Sequence, residues 1–156
     1  MSSTWSVELA RAGLVIRPDA ASLLNNRAFA LANLDRLDEA DHALNKLTVG
    51  PSDLQYMISQ ANRGLIAFRR NDIVEGLARY KSAIELFERA HLAPFALTAR
   101  AYLAREAARA RVPDAPKMVA DLKSDVEKSD LASLRRVYSA AEQLLIEAAR
   151  DLSPAH

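Results

Sequence analysis

His42, His91 and His156 are the side chains best suited to proton transfer or metal binding near neutral pH, and their spacing supports neither. No two of them stand at the short interval that brings two imidazoles to one zinc ion, and the chain has no cysteine to complete such a site. Asp38, Glu39 and Asp41 stand early in a predicted helix, where carboxylates suit the positive end of the helix dipole. That position accounts for them without acid–base catalysis. The four glycines form no phosphate-cradling loop, and Ser and Thr stand mostly at helix caps and ends. No catalytic residue, metal site or cofactor is expected.

What remains is recognition chemistry. Asn25, Asn26 and Asn33 fall in one stretch, Asn62 and Arg69 in the next and Arg105 in a third. Amides bond the backbone of an extended peptide, and Phe29 and Tyr102 add flat apolar surface. A second set, Arg63, Arg69 and Arg70 followed by Arg100, Arg105, Arg109 and Arg111, would hold an acidic peptide or a nucleic acid backbone if it shared one face. Against that, Glu75, Glu85, Glu88 and Glu106 supply counter-charges, and the net charge of +1 gives no argument for nucleic acid or an acidic membrane. The excess of Arg over Lys reads more simply as compositional bias.

The elements that must position these groups are helical. Half of the 156 residues are hydrophobic, glycine is scarce, and no segment alternates in the strand manner. No run approaches the roughly 20 apolar residues that cross a bilayer. The start, MSSTWSVELARAGL, lacks the basic region and long apolar core of a secretory signal. With no cysteine, the expectation is a cytoplasmic protein. Periodicity and breakers predict helices over 4–16, 20–34, 36–48, 53–70, 73–91, 94–110, a short one carrying Met118, Val119, Leu122 and Val126, and a long last one over 131–151. Pro18 ends the first. Gly50-Pro51-Ser52 separates the third from the fourth, with Ser52 or Asp53 as cap, and Asn71-Asp72 is the next turn and cap. RVPDAP (111–116) is the most irregular stretch, and the tail SPAH is expected to be loose.

Three of these helices share a motif: Asn26-Arg27-Ala28, Asn62-Arg63-Gly64 and Ala99-Arg100-Ala101, at intervals of 64 − 28 = 36 and 101 − 64 = 37 residues. An apolar residue follows each, Phe29, Leu65 and Tyr102. Second helices begin at matching distance, aligning Ala40 with Gly76, Leu44 with Tyr80 and Leu47 with Ala83. Self-similarity at this period indicates stacked helical hairpins.

The pattern resembles the tetratricopeptide repeat (TPR). Ala28 and Gly64 match its small eighth position, Ala40 and Gly76 its small twentieth, Leu44 and Tyr80 its bulky twenty-fourth, and Ala83 its small twenty-seventh. Arg27 and Arg63 stand where that family usually has Leu, and Leu47 where it has a small residue. The resemblance is good over residues 20 to 90 and weak from 95 to 127. It implies an all-α, right-handed superhelical array of hairpins: a half repeat (1–19), repeats at 20–52 and 53–92, a degenerate repeat at 93–128 and a long C-terminal capping helix at 129–153, together one domain over 1–156. ARAGLVIRPD looks like the closing half of a repeat, so the chain is expected to be the C-terminal part of a larger protein or an array that begins with an unpaired helix.

The resemblance further implies a concave groove lined by the first helix of each pair: Asn25, Asn26, Phe29 and Asn33; Ile58, Asn62, Leu65 and Arg69; and Thr98, Tyr102 and Arg105. The family's basic clamp for a C-terminal carboxylate is not matched, because Ile58 and Asn62 occupy its Lys and Arg positions. The expected function is non-catalytic protein–protein interaction, with a peptide or helix of a partner protein in the groove. One alternative is a regulatory module whose Arg-rich face binds an acidic peptide or nucleic acid. The other is self-association, a homodimer through the N-terminal helix, with Trp5 and Leu9 partly exposed or packed where the missing helix belonged.

Overall fold

The structure, a computed structural model, describes residues 4–11 and 20–152. Among them the chain is all-helical: α1 (Thr4–Arg11), α2 (Ala20–Asn33), α3 (Leu37–Asn45), α4 (Leu54–Arg69), α5 (Ile73–Arg89), α6 (Ala93–Arg109), α7 (Ala115–Lys128) and α8 (Ala132–Leu152). No described helix is long and apolar enough to cross a membrane. The elements of α2 to α6 and α8 fall within a few residues of the expected ones. The largest difference is α3, which stops at Asn45 instead of Thr48, and Leu47 closes it with a tighter bond to the Leu44 carbonyl at 3.0 Å. The expected continuation of α1 to residue 16, its stop at Pro18, the side chain of Leu9 and the SPAH tail lie outside the described residues.

Local chemistry explains the ends. Asp53 accepts a hydrogen bond from the Gln55 N–H and Asp72 from the Glu75 N–H, so Asp53, of the two candidates Ser52 and Asp53, caps α4, and Asp72 caps α5. Glu75, three residues after its cap, also completes an ion pair one turn on with Arg79. Four helices end the same way. Asp35, Asn71, His91 and Arg111 take positive φ, between 57° and 63°. In each case the next residue's N–H reaches back five positions: Arg36 to Leu31, Asp72 to Ala67, Leu92 to Phe87 and Val112 to Ala107. These are Schellman closures with a non-glycine residue in the left-handed position. The irregular RVPDAP stretch is therefore a regular closure at Arg111, followed by a helix with Pro116 in its first turn.

The chain divides into two compact units, residues 1–99 and 100–156, with the boundary inside α6. In the first unit α2 pairs with α3 and α4 with α5, and the two pairs meet through α2 and α3 against α4. α4 is buried around most of its circumference, from Gln55 to Phe68. In the second unit α8 packs on α7, and Ala107, Ala108 and Ala115 form a core with Val112, Met118, Leu144 and Leu145.

The α4–α5 pair crosses closely because two glycines face two rings. A Cβ added at Gly64 would stand 2.7 Å from a ring carbon of Tyr80, and one added at Gly76 would stand 2.6 Å from a ring carbon of Phe68. The two rings lie 6.0 Å apart at 49°. Thirty-six residues earlier the corresponding positions are Ala28 with Leu44 and Ala40 with Ala32, all buried. Each ring gained in the second pair thus faces a position that has lost its methyl, which is where the ring finds room.

Two stability predictions follow from this geometry. Gly64→Ala should lower the free energy of unfolding by about 1–2 kcal/mol, the overpacking exceeding the gain in helix propensity. Adding Tyr80→Leu, which copies the Ala28–Leu44 pair, should recover at least about 1 kcal/mol relative to additivity in a urea-denaturation cycle. His91→Gly, which relieves the left-handed conformation at an exposed position, should raise stability by about 0.5–1 kcal/mol.

Candidate partner-binding face

The amides singled out in the sequence divide between two roles. Asn25 and Asn62 are each 2 % exposed. The Asn25 amide donates to the backbone oxygen and Oε1 of Gln55, both at 2.9 Å, and the Asn62 amide donates to the Asn25 backbone oxygen at 3.2 Å and to its Oδ1 at 3.1 Å. The Asn62 amide thus bonds Asn25, whose own amide bonds Gln55, so the polar residues are carried inside and hold α2 to α4 at one register. Ile58, Leu65, Tyr102 and Thr98 are buried as well. The expectation that Asn25, Ile58, Asn62, Leu65 and Tyr102 line an open groove is corrected here: all five are buried and present no free surface to a partner. Thr98 closes onto its own helix, donating to the Pro94 carbonyl at 3.0 Å.

Asn26, Phe29, Asn33 and Arg69 keep some exposure. Asn33 donates to the Phe29 carbonyl at 2.9 Å and accepts from Arg69 at 3.2 Å, so equivalent positions of α2 and α4 are joined at the surface. Asn26 Oδ1 accepts from the Ser6 hydroxyl of α1 at 3.0 Å. In the second unit Arg105 lies over the Tyr102 ring at 5.0 Å and is paired with Glu106 at 2.9 Å.

Several of the arginines have local partners. Arg70 is held by Asp41 and, at 2.6 Å, by Asp38. The hydrogen bond that Arg70 donates to Asp41 does most to raise its guanidinium above the ordinary arginine value. Arg79 bonds Glu75 and Gln60, Arg63 reaches Asn45 at 3.5 Å, and Arg111 pairs with Asp151. A shallow cleft on the α3–α4–α5 side carries Arg63, Arg70 and Arg79 beside Asp41, Asp72 and Glu75. Three positive and three negative groups leave it without a net field for an anion. A second, larger cleft between α2 and α3 holds His42 with Asp38 and Glu39, all three on α3. No group of three or more potential metal ligands gathers among the described residues.

Three features escaped the sequence. Gln55 carries half of the buried amide network, yet nothing marks it in a polar helix start. Glu106, read as a solvated counter-charge, is 1 % exposed and lies 3.9 Å from Arg109 as well as against Arg105. Its flanking Ala104, Ala107 and Ala108 were a signal that this face of α6 turns inward. Trp5, expected either partly exposed or packed where the missing helix belonged, is 2 % exposed. Its ring packs on Phe87 of α5 at 5.6 Å and stacks on Phe95 of α6 at 6.5 Å. The apolar surface on which dimerisation through the N-terminal helix was expected is therefore covered at Trp5 by the chain itself.

Glu106→Ala would take a fully buried carboxylate away from Arg105, which is itself largely buried. It should lower stability by roughly 3 kcal/mol, whereas Glu85→Ala, which breaks an exposed pair with Arg89, should cost less than about 0.5 kcal/mol. Chemical denaturation of the two variants side by side checks the contrast. Compared with family models, curated proteins and solved structures, the chain matches none.

Proposed function

We propose that the chain is a non-catalytic protein-interaction module of the tetratricopeptide type, a superhelical array of hairpins closed by α8, that binds a peptide or short helix of a partner protein along α2 and α4. One observation carries this reading: positions 36 residues apart do the same physical work. Ala28 and Gly64 sit buried on the first helices, and Ala40 and Gly76 on the second. Asn33 and Arg69 bond directly to each other. Repeated hairpins that bury their small residues this way leave the outward positions of the first helices for recognition.

On that face Asn26 and Asn33 offer amides for a peptide backbone, Phe29 offers a partly covered ring, and Arg69 offers a donor fork for a carboxylate or carbonyl. A linear segment with backbone groups to satisfy and one acidic or polar side chain near Arg69 fits this set.

Selection of a random peptide library on the immobilised full-length chain, followed by anisotropy titration, tests the reading. Selected peptides should lose about tenfold or more in affinity, or 1.4 kcal/mol, for the double variant Asn33→Ala, Arg69→Glu, while its thermal midpoint moves by no more than a few degrees. Failure to enrich any sequence, or equal affinity for wild type and variant, would overturn it.

A further inference from the structure

α1 is docked on the first unit in the manner of a partner. Its described residues, Thr4–Arg11, bury Trp5 in a seat on the rest of that unit. That seat is built by residues distant in the chain. Trp5 inserts beside Phe87 of α5 and Phe95 of α6, whose own rings lie 5.7 Å apart, and the three rings make one cluster. One residue on, the Ser6 hydroxyl donates to Asn26, a member of the face proposed above. Thr4 and Glu8 are buried beside this anchor. A deeply buried aromatic ring with a polar contact at its rim is the usual composition of a binding hot spot.

We propose that α1 is an in-cis occupant of the partner site, and that the partner is a short amphipathic helix whose aromatic anchor displaces Trp5 from the Phe87–Phe95 seat while a following small polar residue replaces Ser6 on Asn26. This inference rests on the interaction-module reading and names its ligand class. The argument for that ligand is α1 itself, which shows which side-chain chemistry the seat accepts. Residues 12–19 join α1 to α2, so α1 competes at the high effective concentration of a tethered ligand. The apparent affinity for a partner falls by the fraction of molecules whose seat is closed. Any event that loosens α1 therefore switches the module on.

Trp5 is the chain's single tryptophan, so the seat reports on itself. The probe is a synthetic peptide of residues 2–12, fluorescein-labelled, with a second version carrying Phe in place of Trp5 as an unlabelled competitor. In full-length protein, Trp5→Ala should bind the labelled peptide about tenfold or more tighter than wild type. Val7→Pro, which breaks α1 and leaves the seat intact, should do the same and covers the case in which Trp5→Ala folds poorly. Adding the Phe peptide to wild type should red-shift Trp5 emission and open it to acrylamide quenching.

Equal binding to wild type and both variants, or no binding to variants that keep their helical circular dichroism, would overturn the proposal, as would Trp5 emission unmoved at saturating peptide. Emission that varies with protein concentration, with light scattering showing a dimer, would mean that a second copy supplies the helix, and would overturn the in-cis assignment. Library peptides that bind wild type and Trp5→Ala alike without moving Trp5 would sink this inference and leave the module standing. If no peptide binds either protein, the module reading itself fails.

Discussion

The close crossing of α4 and α5 is the constraint on which the first unit depends. Gly64 rests against the Tyr80 ring and Gly76 against the Phe68 ring, with no space for a methyl at either point. Helices packed through side chains of ordinary size stand 8–10 Å apart. Glycine under a ring brings the axes together and lets one helix bury two aromatic faces. α4 is then enclosed enough to carry Asn62, Gln60 and Ser59 inside. The α2–α3 pair buries Ala28, Ala32, Ala40 and Leu44 at the same positions, methyls in place of rings.

Burying polar groups in such a core is tolerable only when each finds a partner. Asn25, Gln55 and Asn62 meet that condition among themselves, and Glu106 meets it with Arg105 and Arg109. Those contacts are directional, so they set register where apolar contacts would allow sliding. The same side chains are the ones a surface reading assigns to ligand capture. With these buried, Asn26, Phe29, Asn33 and Arg69 remain at the rim of the helices, where the proposed recognition would take place, and α1 meets that rim through Ser6.

α1 differs from the other helices in how it is held. The pairs α2–α3 and α4–α5 join neighbours in sequence, whereas Trp5 and Ser6 of α1 reach a ring cluster on α5 and α6 and an amide on α2. The Schellman closures at Asp35, Asn71, His91 and Arg111 do the opposite. They are local, repeated and tight, and they fix the direction in which the chain leaves each helix.

The sequence by itself determined the all-helical class, most helix bounds, the aspartate caps and the 36-residue register of small residues. All of these depend on neighbours within a few positions or on a period that can be counted. A helix end follows from Asp53 or Asp72 before it, and a close crossing follows from Gly64 and Gly76 at matched distance. Only the tertiary structure decided which side chains face inward. Asn25 and Asn26 are adjacent and chemically identical, yet the first is buried on Gln55 and Asn62 while the second meets Ser6 at the rim. Trp5 finds its seat on Phe87 and Phe95, more than eighty residues away. Burial is a property of what packs opposite, and no local pattern on one helix states which distant residues will stand there.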